Sequence, residues 1–247
     1  MKPLRTLFAL LALCMLALPL PAMAADLLIA QAANFTPAME EIIPAFKAET
    51  GLSAEAVYTS TGKLYGQIMN GAPFDIFLAA DEKRPAKLFA DGQSSEPFVY
   101  AKGQVVLFTM KKDLCAKTWD KIIADPSVAK IGIANVETAP YGTSSMKAMQ
   151  AVGQWDAVQS KLVFGQNITE PFQFATTGAA DASFIAFSST FTKQAADGCF
   201  VTVPEAPDVI QSACVLKSAP HPENAAKFVK FLESDTVKAI KAKYGYK

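Results

Sequence analysis

The sequence predicts an α/β fold built from mostly parallel sheets. Short apolar runs alternate with segments of helical periodicity from about residue 26 onward, which is typical of a parallel sheet flanked by helices. The length of 247 residues leaves room for one large domain or two modest ones. Small or polar residues fill several junctions between a strand and the next helix, two of them in each half of the chain.

The first 24 residues are predicted to be a signal peptide. Two basic residues within 2–5 precede an apolar run over 7–18, and residues 22–24 form an A-x-A cleavage site. The apolar run is too short for a membrane-spanning helix and it ends at prolines. Cys14 does not indicate a lipoprotein, because bulky Leu13 stands where a small residue is required. The rest of the chain is therefore expected to be a soluble, exported, periplasmic protein.

Strands and helices alternate regularly in the first half. The predicted strands cover 26–30, 53–60 and 74–80, and the predicted helices cover 36–51, 62–72 and 81–92. Thr36 is expected to cap the first helix, Pro37 suits its first position, and Gly51 follows its end. Pro44 is expected to kink that helix. A polar stretch around Lys102 then interrupts the series.

The second half repeats the alternation. Its predicted strands cover 104–110, 129–135, 161–167, 182–188, 199–204 and 211–217, and its predicted helices cover 138–153, 168–179 and a C-terminal run over 224–245. The series is interrupted near 99–103 and again near 205–212. We expect hinges between two lobes at these two places.

Charge and composition exclude several classes of function. The chain has 23 basic and 23 acidic side chains, so neither nucleic acid nor an anionic membrane surface is an expected partner. His221 is the only histidine and lies in a turn-like stretch, which indicates a surface residue. Metal centres and catalytic triads thus lack their usual ligand or base. Ser144 and Ser145 are conceivable nucleophiles, but no histidine accompanies them; no enzyme activity, metal cation or cofactor is predicted.

Three cysteines follow the signal peptide. Cys115 and Cys199 both lie in loop-like segments beside strands, and we favour a disulfide between them in an exported protein. Cys214 lies in an apolar strand-like run and is interpreted as a buried thiol. Three free thiols and a Cys199–Cys214 pair remain alternatives.

The strand-to-helix junctions suggest an anion site. Their sequences are AANFTP, YTSTGK, NVETAPYGT and GQNITEP, and none contains arginine. In an open α/β sheet, ligands bind at the carboxyl ends of strands, where helix amino termini offer free N–H groups and positive dipole. Each junction alone is also compatible with an ordinary helix cap. Lys63 is a rival partner for an anion, although its side chain is expected to lean onto the outer surface.

Several motifs resemble the periplasmic molybdate-binding proteins of ABC transporters. They are AANFT, STGKLYGQIMNGAPFDIFLAADEKRPAKL, TAPYG, GQNI and the C-terminal KAKYGY, which together span nearly the whole exported chain. The resemblance implies a two-lobed class II periplasmic-binding-protein fold that closes on a tetrahedral oxyanion. The lobes would be 25–102 with 208–247, and 103–207. It also implies a monomer that delivers molybdate or tungstate to an ABC permease.

The resemblance also implies which residues bind the oxyanion. They are Ala33, Asn34, Ser60, Thr61, Tyr141 and Ile168, the last two mainly through backbone N–H groups. Ala186 stands where the enteric branch of the family has a tyrosine ligand, which favours the branch with an asparagine near the first strand. Sulfate or another small anionic metabolite on the same scaffold is the alternative, followed by a surface adhesin or antigen.

Overall fold

The computed structural model describes residues 25–247; the predicted signal peptide lies outside them. These residues form two five-stranded sheets with flanking helices, which confirms the predicted two-lobed α/β fold. Within the described part of the chain, no helix is both long enough and apolar enough to cross a bilayer.

The elements follow one another in a regular order. The strands are β1 (Leu28–Ala32), β2 (Glu55–Thr59), β3 (Ile76–Leu78), β4 (Phe98–Gly103), β5 (Val105–Thr109), β6 (Ile131–Ala134), β7 (Leu162–Gly165), β8 (Ala182–Ala186), β9 (Cys199–Thr202) and β10 (Val209–Val215). The helices are α1 (Thr36–Thr50), α2 (Thr61–Met69), α3 (Lys83–Ala90), α4 (Trp119–Ala124), α5 (Pro140–Ala151), α6 (Thr169–Thr176), α7 (Pro222–Leu232) and α8 (Asp235–Lys243).

Each sheet has one reversed strand. The first sheet has the order β2-β1-β3-β10-β4, and β10 runs antiparallel to both of its neighbours. The second has the order β7-β6-β8-β5-β9, and β5 is the strand antiparallel to its neighbours. The other four strands of each sheet point the same way, so helices begin at one edge of each sheet.

The chain crosses between the sheets twice. It leaves the first sheet at Gly103 and enters the second at Val105, with only Gln104 between them. It returns between Thr202 of β9 and Val209 of β10. These crossings lie at or beside the two interruptions noticed in the sequence.

A hydrophobic core packs against each sheet and fixes the strand ends. In the first lobe Phe46 of α1 contacts Phe228 of α7, with ring centroids 5.1 Å apart. In the second, Trp119 contacts Phe184 edge-on, with centroids 5.9 Å apart. Since buried apolar surface stabilises a fold by roughly 25 cal/mol per Å², these cores hold the junctions at the sheet edges in place.

Three local expectations require correction. Thr36 is the first residue of α1 and not its cap; Phe35 precedes the helix, and the Thr36 hydroxyl donates back to the carbonyl of Ala33 at 2.8 Å. Helix α1 includes Pro44 and continues to Thr50, close to its predicted end, and a kink at Pro44 stays a prediction. Pro44 lies on the exposed side, where water can bond the carbonyl that proline leaves free.

The other two corrections concern the ends of the first lobe. The stretch around Lys102 is not a break but part of the edge strand β4. The C-terminal run is two helices, because Ser234 ends one and caps the next by accepting a hydrogen bond from the N–H of Val237 at 3.3 Å. Short edge strands and helix caps of this kind leave only a weak trace in hydrophobic periodicity.

The cysteines and the histidine have defined surroundings. A disulfide joins Cys115 to Cys199, with 6.1 Å between their Cα atoms, and Cys214 is a buried free thiol. Burial raises the pKa of the Cys214 thiol to about 11. His221 is 41% exposed and its Nδ1 lies 3.2 Å from the fully buried carboxylate of Asp75, so it is less of a surface residue than expected.

Candidate ligand-binding site

Four helical amino termini meet between the lobes. In the first lobe a 3-10 turn (Ala33–Phe35) follows β1 and leads into α1, while α2 follows β2. In the second lobe α5 follows β6 and α6 follows β7. The small cavity between these ends is lined by Ala32, Ala33, Asn34, Thr59, Ser60, Thr61, Ala80, Ala139, Pro140, Tyr141 and Ile168.

The structure therefore places all six predicted ligand residues around one cavity. Ala33, Asn34, Ser60 and Thr61 come from the first lobe. Tyr141 and Ile168 come from the second, and all six are buried. The lining residues that were not predicted are Ala32, Thr59, Ala80, Ala139 and Pro140, most of which have no polar side chain to mark them.

The lining carries no ionisable acid or base apart from the phenol of Tyr141. Its positive potential comes from the helices, because N–H groups in a first turn have no intrahelical acceptor. Each helix terminus is equivalent to about half a positive elementary charge, and four of them amount to about +2 on that simple reckoning. This positive potential suits a small dianion and disfavours a cation.

Two polar atoms in the lining have no partner. The amide oxygen of Asn34 and the hydroxyl of Ser60 are buried without a hydrogen bond within the described chain. An unpaired buried polar group costs about 1–3 kcal/mol, so such groups seldom lack a purpose. A ligand that accepts hydrogen bonds would satisfy the Ser60 hydroxyl, whereas the Asn34 amide must make a half turn to offer such a ligand an N–H in place of its oxygen.

The hydroxyl of Thr61 accepts one hydrogen bond within the protein and keeps its own proton free to donate. Its Oγ1 accepts a hydrogen bond from the N–H of Ala80 at 3.0 Å, which fixes the side-chain rotamer. Accepting uses a lone pair and leaves the hydroxyl proton available to donate. Thr61 can thus present one donor to the cavity at little cost in side-chain entropy.

A network of buried polar side chains lies behind Asn34. The Nδ2 of Asn34 donates to Oε1 of Gln211 at 2.8 Å and lies 3.3 Å from the hydroxyl of Tyr141 and 3.2 Å from that of Tyr246. The Nε2 of Gln211 donates to the Tyr141 hydroxyl at 3.3 Å, and the Tyr100 hydroxyl donates to its Oε1 at 3.1 Å. Burial, the largest cause, raises the pKa of Tyr141 and Tyr246 well above the usual range, so both remain neutral donors.

Little in the sequence points to this network. Gln211 lies in a predicted strand and Tyr246 in the motif KAKYGY, and neither position indicates a polar cluster. The available signal was a glutamine inside an apolar strand, which is expensive to bury unless it is hydrogen-bonded. The backbone of Tyr141 lies at the start of α5, where the resemblance implies an N–H donor, and its hydroxyl lies beside Asn34 and Gln211.

Hydrogen bonds at the rim join the two lobes. The N–H of Gly62 donates to the carbonyl of Thr138 at 2.8 Å, and Nη2 of Arg84 donates to the carbonyl of Glu137 at 2.9 Å. Lys63 is exposed and its Nζ pairs with Oε1 of Gln166 across the lobes. Lys63 is therefore a rim contact and not part of the cavity lining.

A wider cleft of about 610 Å³ opens beside the cavity. It is lined by charged side chains of both signs, among them Asp81, Lys83, Glu137 and Asp208. Arg84, which also lines it, is paired with Asp81. The unpartnered buried atoms of Asn34 and Ser60 belong to the small cavity and not to this cleft.

Comparison with known proteins fits this two-lobed architecture. Residues 27–247 match the family model described as bacterial extracellular solute-binding protein. The chain belongs to this family. Among its relatives is the molybdate-binding protein ModA of Rhodobacter capsulatus, which is 34% identical over 232 residues, 93% of this chain and 91% of that protein.

Two further comparisons concern Azotobacter vinelandii. The molybdate-binding protein ModA of Azotobacter vinelandii is 33% identical over 91% of this chain and 91% of that protein. A solved structure titled Azotobacter vinelandii periplasmic molybdate-binding protein superposes with a TM-score of 0.83 at 29% identity, covering 90% of this chain and 98% of that one. These solute-binding relatives are binding proteins, in agreement with the prediction that the chain is not an enzyme.

Proposed function

We propose that this solute-binding protein captures a tetrahedral oxyanion, molybdate or tungstate, and presents it to an ABC permease from the periplasm. The observation that carries the proposal is the convergence of four helical amino termini, two from each lobe, on one cavity without a charged side chain. The names of the relatives support molybdate as the ligand.

The chemistry of the cavity favours a fully deprotonated anion. Hydroxyl and amide groups of Asn34, Ser60 and Thr61 supply side-chain donors, and first-turn N–H groups near Tyr141 and Ile168 supply backbone donors. No carboxylate lines the cavity: Glu137 belongs to the exposed rim. With the Asn34 amide turned so that its N–H faces the ligand, a ligand that carries its own proton would find donors where it needs an acceptor.

Capture requires both lobes. An anion that first contacts the Asn34 and Thr61 junctions leaves half of its oxygens facing the second lobe. Closure then supplies the Tyr141 and Ile168 junctions and removes water, which strengthens each electrostatic contact. Opening breaks the Gly62–Thr138 hydrogen bond and releases the anion. We propose that the lobes that move are 25–102 with 208–247, and 103–207, with both crossings as the hinge.

Calorimetric titration with molybdate, tungstate and sulfate tests this proposal. We expect 1:1 binding of molybdate and tungstate by a monomer, with amide hydrogen exchange slowed at 33–36 and 60–62 in one lobe and at 139–142 and 168–170 in the other. Binding of sulfate alone would replace the proposed ligand by the alternative oxyanion. Protection confined to one lobe, or no oxyanion binding, would contradict the proposal.

A further inference from the structure

The C-terminal tail places a tyrosine directly behind the site. After α8 the chain turns at Gly245, which has a φ of +70° and no room for a side chain, since an added Cβ would lie 2.6 Å from the ring of Phe187. Lys247 then pairs with Lys102 of the strand β4 through both backbone groups, at 2.8 and 3.1 Å. Between these two points Tyr246 is 7% exposed.

The hydroxyl of Tyr246 contacts Asn34 at two points. It donates to the backbone carbonyl of Asn34 at 2.7 Å, and its oxygen lies 3.2 Å from Nδ2 of the same residue. Ser188, from the second lobe, donates to the same carbonyl at 2.9 Å and lies 3.1 Å from the Tyr246 hydroxyl. The ring of Tyr246 packs on that of Phe35, with centroids 4.6 Å apart.

The orientation of the Asn34 amide decides what the cavity offers. As placed, the nitrogen is shared among Gln211, Tyr141 and Tyr246, and the oxygen has no partner. A half turn of the amide exchanges oxygen and nitrogen at almost unchanged shape. The Tyr246 oxygen accepts from the nitrogen as placed, and in the turned amide its single proton can move to the amide oxygen because Ser188 also donates to the Asn34 carbonyl. Gln211 must turn its own amide in step, since its Oε1 would otherwise face the Asn34 oxygen. Phenylalanine offers neither bond.

Resting on the proposed function, we infer that Tyr246 is a positioning residue of the oxyanion site. Its hydroxyl fixes the backbone of Asn34 and supports the amide orientation that turns an N–H toward the anion. Tyr246 is not among the cavity-lining residues, so it acts through Asn34 and not by touching the ligand. The contact with Ser188 makes the same hydroxyl part of the junction between the lobes.

The test compares Tyr246→Phe with Tyr244→Phe. Tyr244 belongs to the same tail and is similarly buried, but its hydroxyl donates to Glu41 on α1 at 2.5 Å and not to Asn34. Molybdate titrations, run well below each melting temperature, should show affinity weakened about 5- to 30-fold by Tyr246→Phe and changed less than twofold by Tyr244→Phe.

A double-mutant cycle with Asn34→Ala separates positioning from general destabilisation. If Tyr246 acts through the Asn34 amide, Tyr246→Phe should weaken molybdate binding by a smaller factor in the Asn34→Ala background than in the wild type. Equal losses in both backgrounds, or wild-type affinity in Tyr246→Phe, would overturn this inference while leaving the proposed function intact. Failure of the wild-type protein to bind molybdate would overturn both.

Discussion

The backbone N–H of Gly62 donates to the carbonyl oxygen of Thr138 at 2.8 Å, and this hydrogen bond joins the first turn of α2 to the loop before α5. The approach is close because Gly62 has no side chain: a Cβ there would lie 2.9 Å from the Cα of Thr138 and 3.0 Å from Nη2 of Arg84. Asn135 shapes the facing loop, since its Oδ1 accepts from the N–H groups of Glu137 and Thr138. Closure of the lobes thus requires direct contact between the backbone at Gly62 and the backbone at Thr138.

Gly62→Ala should therefore weaken oxyanion binding by tenfold or more while leaving the protein folded. The added methyl group obstructs closure, whereas alanine in place of a helical glycine adds up to about 1 kcal/mol to the free energy of unfolding. Gly66→Ala is the matched control, because nothing lies within 4 Å of its added Cβ in the same helix. Affinity and melting temperature of both variants check this, and wild-type affinity in Gly62→Ala would show that the rim contact is dispensable.

Phosphate should bind far more weakly than molybdate. At neutral pH phosphate retains a proton and requires an acceptor, but no carboxylate lines the cavity, and Glu170 is bound to the N–H of Gln166 at 2.8 Å. Each buried donor or proton left without an acceptor would reduce the binding free energy by about 1–3 kcal/mol. Competition titrations at constant pH measure the ratio of affinities; phosphate within threefold of molybdate would contradict the donor-only site.

Removal of the disulfide should lower stability without lowering affinity. Cys115 and Cys199 are 84 residues apart in sequence. Closing a loop of that length lowers the entropy of the unfolded chain and stabilises the fold by about 4–5 kcal/mol. Neither residue lines the cavity. Denaturant unfolding and molybdate titration of the double serine variant measure the two effects separately, and a weakened affinity in the folded variant would link the disulfide to the site.

The alternation of apolar strands and helices was enough to predict the α/β class and the four strand-to-helix junctions, while the two-lobed fold was implied by the family resemblance. Hydrophobic periodicity did not predict two local features. The stretch around Lys102 is a half-exposed edge strand, β4, and Ser234 divides the last helical run into two helices. The network behind Asn34 depends on Gln211 and Tyr246, which are 177 and 212 residues away in sequence. Contacts of that range are set by the topology of both crossings and leave no local pattern.

The proposed function requires an oxyanion bound at Asn34. Its amide is buried, and the loss of a hydrogen bond to a charged partner is worth about 1.5–3 kcal/mol. If Asn34 only stabilised the helix start, Asn34→Ala would reduce the free energy of unfolding by about 1 kcal/mol and lower the melting temperature. The affinity of the folded protein for the anion would be unchanged.

Calorimetric titration of molybdate into Asn34→Ala and Asn34→Asp, with melting temperatures measured in parallel, is the most direct test. The alanine variant should bind about ten- to a hundredfold more weakly. The aspartate variant should bind more weakly still, because it sets a negative charge against a dianion. Full affinity in Asn34→Asp would contradict the account and move the anion away from Asn34.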